Sequence, residues 1–116
     1  MRIVDCAQGS DAWYAARLGL PTASNFKAIL TPKTMKTGGP ASITYRNKLL
    51  AEWYLGVAFD AEDDVSTDIM ERGKRMEDEA VRWYELETNA DSETVGFITN
   101  DSSTVGCSPD RLVGTD

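Results

Sequence analysis

The stretch Thr94-Val95-Gly96-Phe97-Ile98-Thr99, then Asn100-Asp101-Ser102-Ser103, then Thr104-Val105-Gly106-Cys107 decides the fold class. The first and last segments hold β-branched and aromatic residues and the middle one turn formers, so they read as strand, turn and strand. Ser108-Pro109-Asp110 follows at once. A proline has no N–H to give to a sheet ladder, so Pro109 marks a bend or an edge. A bend there re-aims the Ser108 and Asp110 side chains; the plain alternative is an ordinary Ser-Pro-Asp turn. Residues 111–113 read as a continuation of the second strand past Pro109, and Gly114-Thr115-Asp116 as another turn. A turn after a strand ordinarily returns as a neighbouring strand. Two short strands make a poor sheet for several helices to pack on. The expectation is therefore an incomplete domain lacking its C-terminal portion, the alternative being an intact small domain.

Upstream, the pattern is helical. Ser10 caps a short helix reaching about residue 18, with Gly19 suited to its C-terminal end. Thr22 caps a second over 23–30, with Phe26, Ile29 and Leu30 on one face. Residues 31–40 (TPKTMKTGGP) form a basic, glycine-rich loop. A third helix spans 41–55, with Ile43, Leu50, Trp53 and Tyr54 near one side and Gly56 stopping it. An acidic connector runs over 58–65. Ser66 then caps the longest helix, 67 to about 87, whose stripe of apolar or small residues (Met70, Gly73, Met76, Ala80, Val81, Tyr84) recurs at period 3.6.

The composition excludes several chemistries. At 116 residues the chain has room for one domain or part of one, and it contains no histidine. Ser-His-Asp and Cys-His catalysis and His-containing zinc sites are thus ruled out. Cys6 and Cys107 form neither a zinc motif nor a disulfide framework, and no apolar run is long enough to span a membrane. A reducing, cytoplasmic setting follows as the default. The net charge is -7, unevenly distributed: residues 1–58 hold seven basic against three acidic residues, and residues 59–116 five against sixteen. The first part suits phosphates and the second hard cations, unless the acids form an ordinary solvated surface.

Three constellations carry chemistry. Trp13 and Arg17 are four apart and share a helix face, and Thr22-Ala23-Ser24 opens the next helix. A helix start with free N–H groups and a hydroxyl beside an arginine suits a phosphate, unless Ser24 and Arg17 are plain surface. Glu77 falls inside the apolar stripe of the longest helix. A carboxylate buried there needs a partner, either a cation or an arginine such as Arg46 or Arg75. Asp110 is the third, on the bend at Pro109.

Three ordered signatures contain these residues: Gln8-Gly9-Ser10 with Trp13, Arg17, Gly19 and Thr22-Ala23-Ser24; Arg72-Gly73 with Glu77, Ala80 and Tyr84-Glu85; and Gly106-Cys107-Ser108-Pro109-Asp110 with Leu112-Val113-Gly114. Together they resemble the lambda-exonuclease-like, YqaJ-type family of phage recombinases, a branch of the PD-(D/E)XK nucleases. The resemblance implies an α+β, restriction-endonuclease-like core: a helical N-terminal part, then the first strands of a mixed sheet. It divides the single domain into 1–56, which binds the DNA end, and 66–116, which carries metal ligands. It implies 5′→3′ degradation of one strand at double-stranded DNA ends in phage recombination, with Mg²⁺ (or Mn²⁺) as cofactor. Expected partners are a single-strand annealing protein and two further copies in a trimer, in a bacterial or phage-infected cytoplasm.

Residue by residue, the resemblance makes Glu77 and Asp110 catalytic metal ligands, with Asp101 as a further acidic ligand. Arg17, Ser24 and Ser108 hold a 5′-phosphate, and Met70 is an apolar wedge at the duplex end. Trp13, Lys27, Lys33, Lys36 and Arg46 are expected to contact DNA. Two departures stand out. The family's next strand carries an acid-x-Lys pair, and this chain stops at Asp116, before it. Arg111 stands where a glycine is common. The fragment alone is expected to hydrolyse little. The competing readings are an endonuclease or repair nuclease of the same superfamily and a non-catalytic DNA-end-binding module.

Overall fold

The computed structural model describes residues 1–31, 33, 35–59 and 68–114. Among the described residues, five strands and four helices follow in the order β1 (Arg2–Val4), α1 (Asp11–Arg17), a 3₁₀ turn (Ala23–Asn25), α2 (Phe26–Ile29), α3 (Pro40–Leu55), α4 (Asp68–Thr88), β2 (Ser92–Glu93), β3 (Phe97–Thr99), β4 (Gly106–Cys107) and β5 (Leu112–Val113). The architecture is α+β, as expected. One antiparallel sheet has the order β1-β3-β4, with Val4 opposite Phe97 and Ile98 opposite Cys107. A two-stranded antiparallel sheet joins β2 to β5. A parallel bridge between Thr22 and Gly106 attaches the segment before α2 to β4.

The expected strand–turn–strand is β3, the turn after Asn100, and β4. Its turn is held by the Asn100 side chain, whose Oδ1 accepts from the backbone N–H of Thr104 at 2.8 Å. Two expectations about strands are corrected. β1 and β2 were not anticipated; two or three residues carry no local signal, and their partners lie far along the chain. Residues 111–113 do not extend β4: after the bend at Pro109 the chain leaves the first sheet, and Leu112 pairs with Glu93.

The buried apolar residues are Phe97, fully buried, its neighbours Val95 and Ile98, and Tyr45 on α3. A β-carbon at Gly106 would lie 2.2 Å from the Phe97 ring, so β4 approaches β3 closely because residue 106 has no side chain. Gly96 works likewise: a β-carbon there would meet the Cys6 carbonyl oxygen at 1.9 Å.

Among the helices, α1 forms as expected, its Ser10 hydroxyl accepting the Trp13 backbone N–H at 3.2 Å. The expected helix over 23–30 is instead a 3₁₀ turn followed by one α-turn, and Thr22 makes no side-chain cap. Its hydroxyl is engaged with the Ser24 and Asn25 side chains instead. α3 begins at Pro40, whose missing N–H costs nothing in a first turn.

The face that α3 buries differs from the one its apolar residues suggest. Tyr45 and Glu52, seven apart, are buried, whereas Ile43, Leu50, Trp53 and Tyr54 are exposed. Glu52 satisfies backbone groups: its carboxylate accepts from Gly19 N–H at 3.4 Å and Phe59 N–H at 3.3 Å. α4 also departs from expectation. Met76, Trp83 and Tyr84 on it are exposed, as is Glu77, so no burial cost falls on that carboxylate among the described residues. Ser66, its expected cap, and most of the acidic connector lie outside the described residues.

Candidate functional site

Two clefts lie on either side of the bend at Pro109. The first, about 450 Å³, is lined by Trp13 and Arg17 from α1, by Thr22, Ala23 and Ser24 from the 3₁₀ turn, and by Cys107, Ser108 and Pro109. All three residues expected at a phosphate, Arg17, Ser24 and Ser108, are thus brought together. The Arg17 guanidinium stacks on the Trp13 ring, 3.9 Å from its centroid, and the Trp13 indole N–H reaches Ser108 Oγ at 2.9 Å. One cation and two hydroxyls converging on a concave surface form a set of donors for an oxyanion. The backbone contribution expected from a helix N-terminus is corrected, because the three-residue 3₁₀ turn and four-residue α2 offer no regular helix start.

The second cleft, about 570 Å³, is lined by Asp5, Cys6, Ala7, Gln8, Lys74, Glu77, Asp78, Thr94, Gly96, Asp110 and Arg111. The helical glutamate and the post-proline aspartate therefore face the same space. Arg111 lies there too, its guanidinium donating to Thr94 Oγ1 at 2.9 Å and reaching Asp78 Oδ1 at 3.4 Å. Carboxylate oxygens are the donors a hard cation takes, so the chemistry of Glu77 and Asp110 fits Mg²⁺. Among the described residues no group of three or more acidic, cysteine or histidine side chains is close enough to enclose an ion.

Asp101 lines neither of these two clefts. It sits on the β3–β4 turn, highly exposed and ion-paired with the Met1 amino group, and lines a third, apolar groove with Phe26, Ile29 and Ile98. Glu77 and Asp110 do not line that groove. Lys27, Lys33, Lys36 and Arg46 are all exposed around α2, the following loop and α3. The Met70 side chain lies outside the described residues.

Two contributors escaped the sequence reading. Gln8 Nε2 donates to the carbonyls of Val95 and Pro109, both at 3.1 Å, tying the approach to α1 to the peptide that precedes Asp110. Its signal was present in the Gln8-Gly9-Ser10 signature, but nothing local showed its partners. Tyr45, buried on α3, accepts the Thr22 backbone N–H at 3.2 Å and so braces the wall that carries Ser24. Beside the second cleft, Ser92 donates its hydroxyl and its backbone N–H to Glu85 Oε1. The hydroxyl bond, helped by the backbone bond and the Arg111 charge and opposed by partial desolvation, holds the Glu85 carboxyl below the ordinary glutamate range.

The YqaJ-like viral recombinase domain matches residues 12–116 of the chain. The chain belongs to that family. This recombinase domain is similar to LHK-Exo, an alkaline exonuclease from Laribacter hongkongensis. Against its crystal structure in complex with dAMP the TM-score is 0.68 at 30% identity, covering 90% of this chain. A second structure of the exonuclease gives 0.68 at 29% identity over 91% of the chain. The recombinase domain spans 49% of the length of that exonuclease. No curated protein matches it. No helix among the described residues is long and apolar enough to cross a membrane.

Proposed function

We propose that the protein to which this domain belongs is a divalent-cation-dependent exonuclease. It removes nucleotides 5′→3′ from duplex DNA ends during phage recombination. The observation that carries the reading is the pair of clefts flanking Pro109: oxyanion donors Arg17, Ser24 and Ser108 on one side, carboxylates Glu77 and Asp110 on the other. Family membership supports it, and so does likeness to an exonuclease solved with a nucleoside monophosphate.

The parts divide the work. Arg17 and the two hydroxyls bind a terminal 5′-phosphate, whose extra charge and free oxygens an internal phosphodiester lacks. Glu77 and Asp110 would hold Mg²⁺, with Mn²⁺ as substitute; when bound, it polarises the phosphoryl group and stabilises the leaving oxygen. Arg111 adds positive charge facing the same space. Lys27, Lys33, Lys36 and Arg46 attract the duplex through its phosphates, so affinity falls as salt rises. A single-strand annealing protein receives the exposed strand, and the full protein assembles as a trimer.

A linear duplex degraded by the full chain in Mg²⁺ tests this. Ends bearing a 5′-phosphate should be degraded faster than 5′-hydroxyl ends, and closed circles should survive. Equal rates on the two ends would remove the phosphate pocket; cleavage of closed circles would replace the exonuclease with an endonuclease.

A further inference from the structure

Trp13 touches two of the three donors in the first cleft through separate parts of one side chain. Its Nε1–H is shared between the Gly96 carbonyl at 3.0 Å and Ser108 Oγ at 2.9 Å. Its ring face carries the Arg17 guanidinium at 3.9 Å. A serine hydroxyl has one proton and two lone pairs. With a lone pair taken by the indole N–H, the Ser108 proton is left to point at an anion in the cleft. An arginine already stacked on a ring has less rotamer freedom to lose when it grips that anion. The indole is half-buried and anchored on the carbonyl of Gly96, the buried residue that precedes β3, so both donors are referred to the core.

We propose that Trp13 is the positioning residue for terminal-phosphate recognition: its N–H orients Ser108 and its ring face presets Arg17. It acts through these two donors rather than by contacting DNA as the sequence suggests. The inference rests on reading this cleft as the terminal-phosphate pocket.

The test measures, with the full chain, the ratio of degradation rates on 5′-phosphate and 5′-hydroxyl ends. Trp13→Phe keeps a ring face and removes the N–H, and should lower the ratio about fivefold. Trp13→Leu removes both and should lower it a further twofold to fivefold. In a Ser108→Ala background, Trp13→Phe should have no further effect on the ratio. In an Arg17→Ala background, Leu and Phe at position 13 should be equivalent. Full effects persisting in those backgrounds overturn the proposal, as does an equal loss on both ends with the ratio intact. If Arg17→Ala and Ser108→Ala leave the ratio unchanged, the pocket reading itself fails. If they lower it while Trp13→Phe does not, only the positioning role fails.

A measurement on the unsubstituted chain covers the case of a variant that does not fold. Inorganic phosphate should shift the indole N–H resonance of Trp13 and leave those of the exposed Trp53 and Trp83 in place. An unmoved Trp13 resonance at saturating phosphate overturns the proposal.

Discussion

Gly96→Ala tests how tightly the core and the first cleft are joined. A β-carbon at residue 96 would stand 1.9 Å from the Cys6 carbonyl oxygen and 2.7 Å from its sulfur. To reach ordinary contact the Cys6 backbone must retreat by about 1.5 Å. Cys6 lies two residues beyond β1, whose Val4 is paired with Phe97, the neighbour of Gly96. The retreat therefore pulls β1 from β3, and backbone cannot yield by changing rotamer. Overpacking that side chains absorb costs about 1–3 kcal/mol, so this substitution should cost about 3 kcal/mol or more. Gly106→Ala is the comparison. Its obstacle, 2.2 Å away, is the ring of Phe97, which can tilt, and about 1–3 kcal/mol is expected. Urea denaturation of the full chain measures both, read as a shift in midpoint at constant slope. The reasoning is refuted if Gly96→Ala lies within about 0.5 kcal/mol of the parent, the usual range for innocuous surface changes. It is equally refuted if Gly106→Ala proves the costlier of the two.

Three further outcomes follow from individual contacts. Tyr45→Phe leaves the buried Thr22 N–H without its acceptor and should cost about 1–3 kcal/mol by the same denaturation assay; a neutral result would mean that the phenol does not brace the Ser24 wall. Glu85, held low chiefly by the Ser92 hydroxyl, contributes stability that is complete above about pH 4.3 and fades as pH falls through its lowered value. In Ser92→Ala a carboxyl NMR titration should find Glu85 moved up toward the ordinary range, and an unmoved titration would contradict the assigned cause. Asp110→Asn and Glu77→Gln should each slow Mg²⁺-dependent hydrolysis by the full chain about a hundredfold or more, whereas Asp101→Asn should leave the rate near that of the parent; a reversed order would relocate the cation.

The parts of the fold visible in the sequence are those with local causes. Ser10 caps α1 within one turn, and Asn100 folds its hairpin through its own side chain. Pro109 announces a bend that re-aims Ser108 and Asp110, and in the structure the two line different clefts. What was illegible depends on partners distant in sequence. β1 finds its mate beyond residue 96, and β5 pairs back to β2 rather than onward from β4. The buried face of α3 was misread because hydrophobicity pointed to Trp53 and Tyr54. The position actually enclosed, Glu52, is there to satisfy the N–H groups of Gly19 and Phe59. Gln8 and the Trp13 indole were visible as residues, but their hydrogen bonds cross more than eighty positions and leave no mark in spacing.

The pairing of Arg2 with Thr99 has a consequence for biosynthesis. β1 cannot find its place until nearly the last of this segment has been made. Closing so large a loop makes the sheet slow to assemble compared with the helices. Ser108 and Asp110 arrive later still. A nascent chain halted early thus carries Arg17 and Glu77 without Ser108 and Asp110, the residues that line the same clefts, and on the proposed reading it should be unable to attack DNA while translation is under way.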